Sequence, residues 1–262
     1  MKRKIYLIAF FLVISYSLIA QATEINKTDA QGKKQGPWIR KYPNGIVQYE
    51  GTFKDDHPVG EFKRYYQDRT LMSVMIYSDD GRTAEATIYH PNGFIASKGK
   101  YTDQKKEGKW QFFSEMTEDY LISEDEYSGN VRNGKSVKYF TSGVPAEILT
   151  YVNGKKNGEW LQYHENGKIF LKSYYTDGIL NGKFEVWFQN GQLKYSGLYK
   201  NDLREGKWFI YNNDGSVKYE INYTAGITKD MQMAIDASEF LDSLERNKDK
   251  IIDPEKAGQI IR

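Results

Sequence analysis

The chain of 262 residues is long enough for one sizeable domain or an array of repeats, and its lack of cysteine excludes disulfides and thiolate chemistry. Lys and Arg total 37 against 35 Asp and Glu, so the formal net charge of +2 offers little support for nucleic-acid binding. Aromatic residues make up 15% of the chain, and 21 of them are Tyr, which is a high content for a soluble protein.

Residues 1–22 have the three parts of a secretory signal peptide. Residues 2–4 are basic, residues 5–19 are apolar, and Ala-Gln-Ala at residues 20–22 matches a cleavage site. The alternative is an uncleaved membrane anchor, but the apolar stretch is shorter than the roughly 20 residues that span a bilayer. We therefore predict cleavage after Ala22 and an exported mature chain, periplasmic or extracellular, without a transmembrane segment.

A polar lead-in, residues 23–35, precedes a repeat of about 24 residues that fills residues 36–227. A glycine opens each of the eight units, except that an alanine replaces it in unit three, and an insertion lengthens unit four. Self-similarity at this period is typical of repeat architectures, in which a unit buries its apolar face by stacking on its neighbours. Positions are counted from the opening residues Gly36, Gly60, Ala84, Gly108, Gly134, Gly158, Gly182 and Gly206.

Two aromatic positions in the unit predict its core. Position +17 is aromatic in all eight units, and position +2 in six of them. The residues at +2 are Trp38, Phe62, Trp110, Trp160, Phe184 and Trp208. Those at +17, with the insertion in unit four left out of the count, are Phe53, Tyr77, Tyr101, Tyr127, Tyr151, Tyr175, Tyr199 and Tyr223.

Two further apolar positions lie between these. Position +5 carries Tyr65, Tyr89, Phe113, Tyr139, Tyr163, Trp187 and Tyr211. Position +11 is aliphatic in seven units: Val47, Leu71, Ile95, Leu121, Ile169, Leu193 and Val217.

Asn-Gly or Asp-Gly at positions +8 and +9, as in Asn44-Gly45, indicates a β-hairpin. A two-residue type I′ turn would place +2 opposite +15 and +6 opposite +11, so we expect +2, +11 and +17 on one buried face. The rings of Trp38 and Phe184 would then lie across Gly51 and Gly197. The +5 aromatics would point to the opposite, solvated face unless a bulge redirects them, and spacing leaves both alternatives open.

Because a lone hairpin is marginal in water, the units are expected to stack. We predict an all-β fold: a tandem array of β-hairpins, with roughly sixteen short antiparallel strands forming an elongated, twisted sheet.

Two stretches carry a resemblance to a known family. Residues 49–62 read YEGTFKDDHPVGEF and residues 195–208 read YSGLYKNDLREGKW. They resemble the MORN repeat, and the form G-x-W-x-x-Y-x-x-N-G is more similar still to the bacterial MORN variant called a YwqK-family antitoxin component. The resemblance spans residues 36–226 and implies an all-β scaffold or protein-binding surface without catalytic residues. The antitoxin or DNA-binding role implied by that label conflicts with the export signal.

Residues 228–262 depart from the repeat and predict a helical C-terminal cap. Asp230 can cap the start of a helix, and Asp253-Pro254 can begin a second, shorter one. A cap would protect the open end of the sheet from edge-to-edge pairing, and a docking helix for a partner is the alternative. The apolar residues that share one face at helical spacing are Met233, Ala237, Phe240, Leu241 and Leu244.

The sequence offers no catalytic or metal-binding constellation. His90 and His164 occupy equivalent +6 positions where Tyr or Phe also occurs, and His57 lies in a linking turn. A metal site needs converging ligands, and the chain has no H-x-H, H-x-x-x-H or Cys/His cluster. We therefore predict that the protein is not an enzyme and has no cofactor and no metal.

Two hypotheses about function remain. The first is an exported scaffold that binds another protein at the cell envelope through the long face or edge of its sheet. The second is a carbohydrate or cell-wall binder that uses Tyr and Trp as stacking platforms. No nucleic-acid partner is expected. The candidate binding residues are the outer-face aromatics Tyr65, Tyr89, Tyr139, Tyr163, Trp187 and Tyr211.

Overall fold

The computed structural model describes residues 24–230 and 232–233, and its 19 strands form one antiparallel sheet. From β2 to β19 the strands pair in chain order, so the sheet is a meander, and β1 pairs with β2. The two-residue strands β12 and β15 pair only with the strand before them, so β13 pairs with β11 and β16 with β14. Sixteen strands are six to nine residues long, as predicted, and β1, β12 and β15 have two residues each. The strands are β1 Lys27–Thr28, β2 Lys34–Lys41, β3 Val47–Lys54, β4 His57–Tyr65, β5 Leu71–Tyr77, β6 Thr83–Tyr89, β7 Ile95–Thr102, β8 Lys105–Phe113, β9 Leu121–Ser128, β10 Val131–Tyr139, β11 Pro145–Val152, β12 Lys155–Lys156, β13 Gly158–Tyr163, β14 Ile169–Thr176, β15 Ile179–Leu180, β16 Gly182–Trp187, β17 Leu193–Lys200, β18 Leu203–Tyr211 and β19 Val217–Tyr223.

The hairpin turns differ from the predicted two-residue type. In unit one the Tyr42 N–H donates to the Ile46 carbonyl at 2.8 Å, which closes a three-residue loop, residues 43–45. Of these residues only Gly45 has a positive φ, 84°, as in a type I turn followed by one left-handed residue. The Asn44 side chain accepts the Ile46 N–H at 3.1 Å, which explains the asparagine without a type I′ turn.

The type I′ turns lie instead between the units. Asp55 and Asp56, which link units one and two, have φ of 52° and 71°. Asn153 and Gly154, at the same positions of unit five, have φ of 49° and 80°. Asp, Asn and Gly tolerate positive φ better than other residues, so this position accepts all three. The linking turn also bonds the strand that follows the previous linking turn: the Gly154 N–H donates to the Arg132 carbonyl in β10 at 2.8 Å.

The longer hairpin loop shifts the strand register by one residue. In unit one Trp38 lies opposite Gly51, as predicted, but Lys41 lies opposite Val47, with a bulge between the two pairs. Position +11 therefore faces +5 rather than +6. The expectation that +11 belongs to the buried face is wrong: Ile169 and Val217 are exposed.

The inner face, defined here as the side that carries positions +2 and +17, forms the core. Trp110, Trp160 and Trp208 at +2 are buried, as are Tyr175 and Tyr199 at +17. One buried cluster spans units five to eight and a smaller one units three and four. Ten of the fourteen residues at these two positions are buried, and Trp38, Tyr77, Tyr101 and Tyr151 are half-buried.

The rings that cover the strand glycines come from the following unit. Phe184 lies opposite Gly197 in the register, as predicted, but a Cβ on Gly197 would meet the Trp208 ring at 2.2 Å. The bulge at Gly206, which opens unit eight, brings the Trp208 side chain over the same strand. The Trp208 indole N–H then donates to the Leu198 carbonyl at 3.2 Å.

Two predicted segments lie outside the described residues. These are the signal peptide, residues 1–22, and the helical cap, of which the structure describes only residues 228–230 and 232–233. Within the described part of the chain, no helix has the length and apolar character needed to cross a membrane.

Candidate binding surface

The outer face, opposite the core, carries the candidate aromatics. Each lies at the end of the first strand of its hairpin, and each is half-buried rather than fully exposed. Neighbouring units are two strands apart, so consecutive +5 side chains are about 10 Å apart along the sheet. The bulge leaves these aromatics on the outer face, where they form one row: Tyr65, Tyr89, Tyr139, Tyr163, Trp187 and Tyr211.

Hydrogen bonds hold several of these rings against the preceding unit. The Tyr65 hydroxyl donates to Glu50 Oε1 at 2.6 Å, and the Tyr139 hydroxyl to Glu124 Oε2 at 3.1 Å. Burial, reinforced by the bond to Glu50, raises the pKa of Tyr65 to about 12. Both phenols therefore stay neutral at physiological pH. Because these rings are fixed in place, a partner would meet a preorganised surface.

The outer face becomes more apolar in units six to eight. Leu161 and Phe209 are half-buried there, next to the +5 aromatics. Leu198 is 43% exposed and Ile169 38% exposed. Carboxylates and lysines surround this area, for example the Lys172–Glu159 pair at 2.6 Å. Aromatic and aliphatic side chains inside a charged rim are the usual composition of a protein interface.

The +6 side chains link adjacent units at the hairpin ends. His164 Nε2 lies 3.0 Å from the Trp187 carbonyl, and His90 Nε2 lies 3.2 Å from the Phe113 carbonyl. The Tyr42 hydroxyl makes the same bond to the next unit, donating to the Tyr65 carbonyl at 2.9 Å. The histidines thus have a structural role in common with tyrosine. Among the described residues, no group of three His, Cys, Asp or Glu could hold a metal ion.

His164→Phe is expected to lower the free energy of unfolding by about 1 kcal/mol, because the Trp187 carbonyl loses its donor. His164→Tyr should retain most of that stability, since Tyr42 shows that a hydroxyl can make the same bond. Urea denaturation of the two variants checks this. Equal losses for Phe and Tyr would show that the hydrogen bond between units contributes nothing.

Sequence reasoning missed two sets of charged residues on the inner face. The first is a basic residue two places before the opening residue of a unit, as in Lys106 and Arg204. Its recurrence at the repeat period could have revealed this set from the sequence. The second is a pair of buried acids, Asp125 and Glu147. Glu147 bonds Lys138 at 2.8 Å and the Trp160 indole N–H at 3.0 Å. Burial alone would raise the pKa of Glu147, but Lys138 and the hydrogen bonds hold it below its ordinary value.

A shallow cleft with a volume of about 310 Å³ lies at the hairpin end of units four and five, between Tyr120, Tyr139 and Ser142. The Tyr120 hydroxyl donates to the Tyr139 carbonyl at 2.7 Å within it. A wide cleft of this kind lacks the enclosure typical of a small-molecule site.

Comparison with known proteins identifies the repeat. The MORN repeat variant family matches residues 34–55, 132–153, 156–177, 180–201 and 204–225. No curated protein matches the chain. Among solved structures, the chain is similar to a Tc holotoxin pore of Photorhabdus luminescens, with 15% identity, a TM-score of 0.21, and coverage of 71% of this chain and 11% of that one. A TcdB2–TccC3 complex matches with 13% identity, a TM-score of 0.20, and coverage of 77% and 12%. The chain thus spans about a ninth of the length of these toxin chains.

Proposed function

This chain belongs to the MORN repeat variant family, and on that premise we propose that it is a non-catalytic, exported scaffold that binds another protein at the cell envelope. The surface proposed for the partner is the outer face of units six to eight. A row of half-buried aromatics on a hydrogen-bonded sheet carries the proposal, since Tyr and Trp held in place provide large contact areas at little entropic cost.

Within this surface, Trp187 is the proposed centre. It follows Tyr163 and precedes Tyr211 in the aromatic row, and the exposed side chain of Leu198 lies in the same hairpin. Hot spots of protein interfaces are enriched in Trp and Tyr near the middle of the contact. Charged residues at the rim, such as Lys172 and Glu159, would contribute orientation and association rate rather than most of the affinity.

The test is capture of envelope proteins by the mature chain and by a Trp187→Ala, Tyr211→Ala double variant. We expect the double variant to lose at least tenfold in affinity for the captured protein while its thermal unfolding stays cooperative, because the rings contact the partner and not the core. Val152→Ala, which shortens an exposed side chain at the end of β11 in unit five, is the matched control and should bind as the parent does.

Two results would contradict the proposal. If the double variant captures the same protein as strongly as the parent, the outer face of units six to eight is not the contact surface. If a glycan array shows saturable binding of the mature chain, and Trp187→Ala abolishes it, the same rings bind carbohydrate instead. Sugar binding would then replace protein binding as the function of this face.

A further inference from the structure

Basic side chains lie over the aromatic rings of the inner face. Lys106 Nζ is 5.0 Å from the ring centre of Trp110 and 5.1 Å from that of Tyr127. Arg204 Cζ is 5.7 Å from Trp208 and 5.6 Å from Tyr223. These cations occupy the same place relative to the opening residue of a unit, and they form a basic row along the inner face that is interrupted where Pro58 and Leu180 take that place: Lys34, Lys106, Arg132, Lys156 and Arg204.

The inner face of the last units is deeply buried, as is that of unit four around Trp110. All strands of the described residues belong to a single sheet, and β19 pairs there along one edge only. Even so, Ile221 on β19 is 0% exposed and Tyr223 is 5% exposed. A sheet with one apolar face is normally covered by a second layer, so this end of the array calls for a covering element.

The chemistry of residues 236–245 is complementary to this face. The stretch contains four acidic residues and no basic residue. At helical spacing, Phe240, Leu241 and Leu244 form an apolar stripe, and Asp236 and Glu245 lie on either side of it. An apolar stripe with acidic edges matches an apolar sheet face beside a row of cations.

The lengths also agree. A helix over residues 230–248 would be about 28 Å long. Two strands per unit at about 4.8 Å make about 10 Å per unit, so such a helix would cover about three units. Starting beside unit eight, where the described chain reaches residue 233, it would pass Arg204 and extend to Lys156.

We propose that residues 230–248 form an amphipathic helix that docks along the inner face of units six to eight, with its acidic side chains paired to Arg204 and Lys156. The segment is then a second layer of the domain rather than a cap over the end of the sheet. It occupies the inner face and leaves the outer face open, so this inference is independent of the proposed partner site.

Disulfide mapping on the full mature chain tests the docking. Because the chain has no native cysteine, every crosslink comes from the introduced pair. Single cysteines along residues 236–245 are combined with Lys156→Cys on the inner face or Lys183→Cys on the outer face. We expect intramolecular crosslinks to the inner-face cysteine from positions one helical turn apart, and they should form at least tenfold faster than crosslinks to the outer-face cysteine. Equal rates from both faces, or crosslinks that form only between molecules, would overturn the proposal.

Charge reversal provides a second readout. Lys156→Glu with Arg204→Glu should reduce hydrogen-exchange protection of residues 236–245 at least tenfold, and adding Asp236→Lys with Glu245→Lys, the acids beside the apolar stripe, should restore it. Lys207→Glu, on the outer face, is the control and should have no effect. If Lys156→Glu with Arg204→Glu leaves the protection of residues 236–245 unchanged, the segment does not dock on the basic row. The same conclusion follows if Lys207→Glu lowers that protection equally.

Discussion

Trp208→Ala is expected to lower the free energy of unfolding by about 3–5 kcal/mol, the range for removing a large buried aromatic. Trp208 is 1% exposed and packs against Phe184 and Tyr199, with ring centres 5.7 and 5.2 Å away. Its indole N–H also satisfies the Leu198 carbonyl. Urea denaturation gives the magnitude, and hydrogen exchange should place the damage mainly in units seven and eight.

A double-mutant cycle with Gly197 provides the control. Gly197→Ala should cost about 1–3 kcal/mol, because its Cβ would lie 2.2 Å from the Trp208 ring. With Trp208 already replaced by Ala, the same change should be nearly neutral, so the coupling energy should account for most of the cost. An equal cost of Gly197→Ala in both backgrounds would contradict the close packing of ring on glycine.

Tyr199→Ala and Tyr211→Ala should separate the two faces of the sheet. Tyr199 is 2% exposed and makes edge contacts at 5.2 Å with both Phe184 and Trp208, so its loss should cost about 3–5 kcal/mol. Tyr211 is half-buried on the outer face, 3.4 Å from the Ser196 hydroxyl, and its loss should cost about 1 kcal/mol or less. Chemical denaturation of both variants measures the difference.

Tyr175→Ala and Tyr163→Ala repeat the comparison within unit six and should give the same order. Tyr175 is buried at the inner position and Tyr163 half-buried at the outer one. If the outer changes destabilise as much as the inner ones, the outer row is a second core. The surface proposed for a partner would then be part of the scaffold.

The sequence predicted the structure correctly at positions where the fold requires one type of side chain. Aromatics at +2 and +17 in unit after unit predicted the inner face, because side chains alternate along a strand and only one face could collect them. The register of Trp38 opposite Gly51 followed from the same count. Near the hairpin turn the predicted register was wrong by one residue. Pro43 and Pro91 could have indicated the correct turn, because proline suits the first central position of a type I turn.

The sequence by itself determined the repeat, the antiparallel hairpins and the buried face, since each depends on spacing within about 24 residues. Only the tertiary structure decided how units contact one another. The ring over Gly197 comes from the next hairpin, His164 bonds the next unit, and Arg204 lies over two inner rings. These contacts depend on the bulge at each opening glycine and on the bonded linking turns, which set the angle between hairpins. Spacing along the chain does not encode that angle, because it arises from how strands twist and bend once they are paired.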